Sequence, residues 1–131
     1  MSYKTNIFEK TEENNYFRNV LFTGAKSQLV VMNIPPNGEI GEEVHHNVEQ
    51  TLFFMKGFAT SILDGVEGQV MAGDVVVVMP GVKHNFINTG KDPLKVFTVY
   101  SPANHLDGRV HKTKADADAD VADEDFGEKV L

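Results

Sequence analysis

The sequence predicts an all-β sandwich or barrel, and three observations carry that prediction. Apolar residues fall in short runs rather than at helical spacing. Clusters of Gly, Pro, Asn and Asp separate those runs and supply the dihedral angles that chain reversals need. The chain has 131 residues, 41% of them hydrophobic, and no cysteine, so it can build one core and must hold it by packing alone.

Strands are predicted at 19–22, 28–34, 51–56, 60–63, 68–71, 75–79, 85–88 and 94–100. Pro35-Pro36-Asn37-Gly38 ends the second. Asp64-Gly65 joins the fourth to the chain that follows as a tight hairpin, because Asp-Gly suits the turn whose twist matches paired strands. The run Val75-Val76-Val77-Val78-Met79 has no polar alternation, so this strand is expected to be covered on both faces. Pro80-Gly81 and Thr89-Gly90-Lys91-Asp92-Pro93 turn the chain into the last two strands.

Residues 1–113 are expected to form one domain, in which 103–112 make a polar arm after the last strand. Residues 114–131 are expected to be an acidic, mobile tail, since Ala115-Asp-Ala-Asp-Ala-Asp120 offers little apolar surface to offset the entropy of ordering. A short helix around 116–125 is the alternative. Most of the net charge of −7 resides in that tail, where seven of the 19 acids lie, against 12 Lys and Arg in the whole chain. With no basic stripe and no aromatic platform among basic residues, no nucleic-acid partner is expected, and an acidic surface argues against anionic membranes. No apolar run resembles a signal peptide or reaches spanning length, so a cytoplasmic protein with no membrane partner is the expectation.

Chemistry concentrates in two segments, one at Glu43-Val44-His45-His46-Asn47-Val48-Glu49-Gln50 and one from Gly73 to Asn88 around His84. Side chains two apart on a strand share a face, which makes Glu43 and His45 co-ligands and turns His46 outward. Gln50 can return beside them after a bend, with Glu49 competing for that place, and His84 shares its face with Phe86 and Asn88. Two imidazoles, one carboxylate and one amide oxygen suit a divalent transition metal such as Zn, Mn, Fe, Ni or Cu. His105 and His111 are expected at the surface or lining the mouth.

The two segments resemble the paired motifs of the cupin family over roughly residues 28 to 100. Gly73, Pro80-Gly81, His84 and Asn88 match the second motif, in which Met79 stands where proline is usual. The first is matched by His45, by Gln50 where Glu is usual, and by Gly57, with Glu43 replacing the first His and Asn37-Gly38 at the opening turn. The resemblance implies a double-stranded β-helix (jelly-roll) barrel and a metal set of Glu43, His45, Gln50 and His84. Leu52, Phe54, Phe86 and Asn88 are expected to line the substrate pocket.

The resemblance, through cupins that isomerise sugars with a similar ligand set, implies a metal with open positions beside a small-molecule substrate and an enzyme that isomerises or tautomerises a sugar-like hydroxy-carbonyl. The alternatives are a non-haem dioxygenase acting on an enediol or aromatic substrate and a barrel that binds a metal or small molecule without catalysis. Glu49, Tyr100 and His105 are the candidate bases, and Lys56, Lys83 and Arg109 the candidate anion contacts. Strands 19–22 and 28–34 are expected to be edge strands that pair two copies into a homodimer.

Overall fold

The computed structural model describes residues 1–129. Ten strands and three short helices follow one another as α1 (Ile7–Glu13), β1 (Arg18–Thr23), β2 (Gln28–Ile34), β3 (Glu43–Val44), β4 (Glu49–Lys56), β5 (Phe58–Leu63), β6 (Val66–Met71), β7 (Val75–Val78), β8 (Lys83–Asn88), β9 (Leu94–Ser101), β10 (Val110–His111), α2 (Lys114–Ala119) and α3 (Val121–Glu128). All the pairings are antiparallel. One sheet has the order β10-β1-β2-β9-β4-β7 and the other β3-β8-β5-β6, the two-layer architecture of a jelly-roll barrel. Each of the eight expected strands is present.

Alternation along the strands builds the core. Gln50, Leu52 and Phe54 of β4 point inward while Glu49, Thr51 and Phe53 between them stay half-buried. Val30, Met32 and Ile34 of β2 and Leu94 and Val96 of β9 fill the same layer, and Ala59, Val70 and Phe86 meet them from the smaller sheet. The Phe54 and Phe86 rings join the two layers with centroids 5.3 Å apart. The Asp64-Gly65 hairpin forms as expected: both residues take positive φ, +49° and +82°, and Leu63 pairs with Val66.

Three expectations change. Strands β1 and β2 are not edges, because β10 and β9 flank them; the edges of the large sheet are β10 and β7. The valine strand is covered on one face only, since Val75 and Val77 are 53% and 49% exposed at that edge whereas Val78 is buried. The acidic segment is helical and docked. Thr113 caps α2 in a reciprocal box with Asp116, and Asp120 caps α3 by accepting from Asp123 N. Residues 130 and 131 of the expected tail lie outside the described residues. Helix α1, which the strand pattern did not suggest, rests on the outer face of β9, where Lys95 Nζ donates to Glu12 O at 3.1 Å.

Candidate metal centre

Strand register brings the ligand candidates together. Glu43 of β3 lies directly opposite His84 of β8, so their side chains leave the sheet on one face, and His45 follows Glu43 by two residues on that face. The turn after β7 fixes His45 from behind: Gly81, at φ +85°, aims its N–H at His45 O, 2.8 Å away. One ligand atom from each of Glu43, His45 and His84 falls within 4.8 Å of the others. Ligand bonds of about 2.0–2.2 Å would place such atoms roughly 3–4 Å apart, so small side-chain adjustments suffice to close the set on an ion.

Each donor is prepared differently. His84 Nδ1 donates to Val82 O at 2.9 Å, which leaves Nε2 with its lone pair facing inward. Burial lowers the His84 pKa, more than the Val82 bond and the Glu43 charge raise it, so the ring is neutral and able to ligate. His45 Nε2 stands 3.1 Å from Glu43 Oε2 without hydrogen-bond alignment and is buried with no hydrogen-bond partner. A buried imidazole nitrogen without a hydrogen-bond partner, 3.1 Å from a carboxylate oxygen, is a donor arrangement that fits a divalent cation. Burial would raise the Glu43 carboxyl, but His45, and then Arg18 and His105, hold it down to about 2. Because the side chain keeps 35% of its surface exposed, solvent screens part of that field.

Gln50 is 2% exposed and its amide can be oriented by argument. Thr98 Oγ1 gives its one proton to Thr51 O at 2.9 Å, so the group it faces at 3.1 Å must be a donor, the Gln50 Nε2. The Gln50 oxygen is therefore the atom not committed to Thr98. Glu49 points to the other side of β4.

A cavity of about 510 Å³ opens beside Glu43 and His45, and His84 and Gln50 are not among the residues that line it. Glu43, His45 and the exposed His46 line it from below, Arg18 and Phe17 from β1 and its approach, Asn104 and His105 from the arm, and Asp123 and Glu124 from α3. Leu52, Phe54, Phe86 and Asn88 do not line it: the first three are packed in the core, and Asn88 spends its amide on Ile34 O, Asp92 O and Gly90 N. The arm is held against the cavity wall by Gln28, which accepts from Asn104 N and His105 N and donates to His105 O.

His105 and His111 are buried rather than superficial, at 5% and 3% exposure. Asp123 accepts His105 Nδ1–H at 2.7 Å and Leu106 N at 2.7 Å. His105 Nε2 is left buried without a partner. Burial, then Arg18, lowers the His105 pKa to about 4 despite Asp123, so the ring is neutral and Nε2 carries a lone pair. Asp120 takes His111 Nε2 at 2.9 Å and both Nε and Nη2 of Arg109. Although His111, Asp120 and Asp123 also offer clustered ligand atoms, their oxygens are already filled by these donors.

Of the candidate bases, burial pushes the Tyr100 phenol well above its usual range, and Glu49 stays out of the cavity. His105 is the base candidate that the cavity presents. Of the candidate anion contacts, Lys56 pairs with Glu12, Lys83 with Glu42 and Arg109 with Asp120, all away from the cavity wall. The cation that does line it is Arg18, which the sequence reading passed over. Its signal was strand parity: Arg18 shares the inward face of β1 with Val20.

A family model described as "Cupin domain" matches residues 30–100. The protein YrkC of Bacillus subtilis (strain 168) is 39% identical over 129 residues, which cover 94% of this chain and 68% of that protein. A protein of Acanthamoeba polyphaga mimivirus is 33% identical over 112 residues, 82% of this chain and 70% of its own length. Among solved structures, one from Bacillus halodurans superimposes with a TM-score of 0.89 at 32% identity, covering 91% of this chain and 95% of that one. A Klebsiella pneumoniae protein described as having a double-stranded β-helix domain superimposes with a TM-score of 0.69 at 25% identity, covering 85% and 98%.

Proposed function

The chain belongs to the cupin family, and on that premise we propose that it is a metal-dependent enzyme that isomerises or tautomerises a small hydroxy-carbonyl compound at the barrel mouth. The observation that carries this reading is the cluster of Glu43, His45 and His84 with its buried, unpartnered His45 Nε2, of which Glu43 and His45 border a cavity of ligand size. Glu43, His45 and His84 would hold one divalent transition metal, with the Gln50 oxygen as fourth donor. When bound, such an ion polarises a substrate carbonyl or hydroxyl and stabilises the anion formed when a proton leaves.

The chain's own groups supply the rest. The arm and α3 form part of the cavity wall. His105 Nε2 can accept a proton from one carbon or oxygen of the substrate and return it to the neighbouring atom, which is the whole proton balance of a tautomerisation. Asp123 keeps the proton on Nδ1, so the free lone pair stays on Nε2, which has no hydrogen-bond partner.

Elemental analysis of anaerobically purified protein tests the reading. About one metal per chain is expected in the wild type, and replacing Glu43 or His84 with Ala should lower the affinity by more than the ~10–100-fold typical of losing a supporting residue. Undiminished metal in both folded variants would show the ligand assignment to be wrong. The second reading, a non-haem dioxygenase, is favoured by one fact: the clustered set is two histidines and a carboxylate even before Gln50 is counted. Bound iron with substrate-dependent oxygen uptake selects that reading, and turnover without oxygen selects the first.

A further inference from the structure

Helices α2 and α3 form one wall of the cavity through Ala117, Asp118, Asp123, Glu124, Gly127 and Glu128. Among the described residues, Ala117 is the one hydrophobic side chain that these helices bury. Their hold on the barrel is polar. Asp120 accepts from Arg109 Nε at 2.8 Å and stands 2.9 Å from His111 Nε2, and Asp123 accepts from His105 Nδ1 and Leu106 N, both at 2.7 Å. A segment docked with so little apolar burial opens at lower free energy than the core beside it. Gly127 marks how closely the wall meets the arm, since a Cβ there would stand 2.9 Å from Asn104 O.

Both anchors lead to the metal cluster. Asp120 meets His111, whose Nδ1 lies 3.3 Å from Arg18 Nη1, and the Arg18 charge acts on Glu43. Asp123 meets His105, whose ring stands edge-on to Tyr100 at 4.9 Å, and Tyr100 stands edge-on to His45 at 5.9 Å. Packed and hydrogen-bonded groups in such a series can carry coupling between two sites.

The charges give the coupling its sign. Five carboxylates line the cavity, four from the helical wall and Glu43 from β3, and Arg18 is the one Lys or Arg among the lining residues. Docking the wall brings like charges to one space, which opposes docking. A divalent ion beside Glu43 reverses that field and attracts the same carboxylates. We infer that α2 and α3 are a movable wall governed by the metal cluster: an ion held by Glu43, His45 and His84 tightens their docking, and their docking tightens the ion by the same factor. An empty cluster therefore leaves the cavity more open than a loaded one. The inference rests on the metal-dependent reading for the ion, and on no particular reaction.

Hydrogen exchange on the full chain, stripped of metal and then loaded with zinc, tests the coupling, with zinc content measured on the same samples. Zinc is expected to slow exchange in residues 114–128 by roughly 5–150-fold, the usual range of such couplings. Strands β5 and β6, which contribute nothing to the cavity wall, should slow far less. His84→Ala removes a ligand that does not line the cavity, and zinc should then leave α2 and α3 nearly unchanged. Gly127→Ala sets a methyl group against Asn104 O while favouring the helix itself, so it should undock α3 without unwinding it and weaken zinc several-fold.

If the wild type holds zinc, equal exchange in α2 and α3 with and without the ion, or slowing no greater than in β5 and β6, overturns the movable wall and leaves the metal reading intact. Slowing that persists in His84→Ala would place the ion on the helix acids themselves and overturn it too. So would wild-type zinc affinity in a Gly127→Ala protein whose α3 exchanges faster. A wild type that takes up no zinc sinks the metal reading and the coupling together, and elemental analysis tells that case from the others.

Discussion

His105 makes the protein sensitive to acid through one side chain. Its folded pKa lies near 4 against an ordinary 6.5, because burial and the Arg18 charge outweigh the pull of Asp123 and Glu43. Between those two values the unfolded chain binds a proton that the folded chain refuses, so stability falls as pH drops from 6.5 toward 4. The effect is at most roughly 3 kcal/mol. Denaturant midpoints across this range should drop steeply in the wild type and more gently in His105→Gln; equal slopes would show that the proton is taken up elsewhere. Thr98 allows a second test at this scale. Thr98→Val keeps the shape but removes the acceptor that orients Gln50, and metal affinity should weaken by ~10–100-fold. Unchanged affinity would leave Gln50 outside the ligand set. That Glu43, His45 and His84 come together was legible from parity, since Glu43 pairs with His84 across β3 and β8 and His45 follows just past the end of β3. Arg18 was passed over because a charge beginning a strand reads as surface until its partners on β10 and the arm are known.

The acidic helices are held by polar anchors rather than by an apolar face. Among their buried groups only Ala117 is hydrophobic, and the docking rests on Asp120 against Arg109 and His111 and on Asp123 against His105 and Leu106 N. Replacing Asp123 with Ala leaves the His105 Nδ1–H and the Leu106 N–H without an acceptor, at a cost of about 2–4 kcal/mol. Limited proteolysis should then cut within residues 114–128 before the barrel, whereas a cutting pattern like the wild type's would mean that other contacts hold α3. This explains why composition suggested a mobile tail. The segment lacks the apolar surface on which an order prediction depends, and its partners lie in the arm and on β10, where only the folded chain brings them close. The capping signal Thr113 to Asp116 was present in the sequence and is the local reason that α2 starts where it does. Strands fared better, since their turns and apolar runs are local signals that the tertiary structure did not override.

At the scale of the whole molecule, the barrel is closed toward its core and incomplete toward solvent. Val75 and Val77 expose apolar surface on edge strand β7, an arrangement that a monomer carries at some risk of association. A homodimer through this edge is the expected assembly, in place of one through β1 and β2, which are interior strands. Light scattering should return about twice the 14.5 kDa chain mass, and Val77→Lys should halve it. A monomeric wild type would remove the idea. The clasp of Gln28 on the arm has a consequence in time rather than in space. Its bonds to His105 join positions 77 residues apart, and Gln28 takes its place only once β2 has zipped against β9, where it pairs with Tyr100. The arm can grip Gln28 in this way only where β2 is already paired with β9, so in refolding the amide protection of Asn104 and His105 is expected to appear after that of β2 and β9.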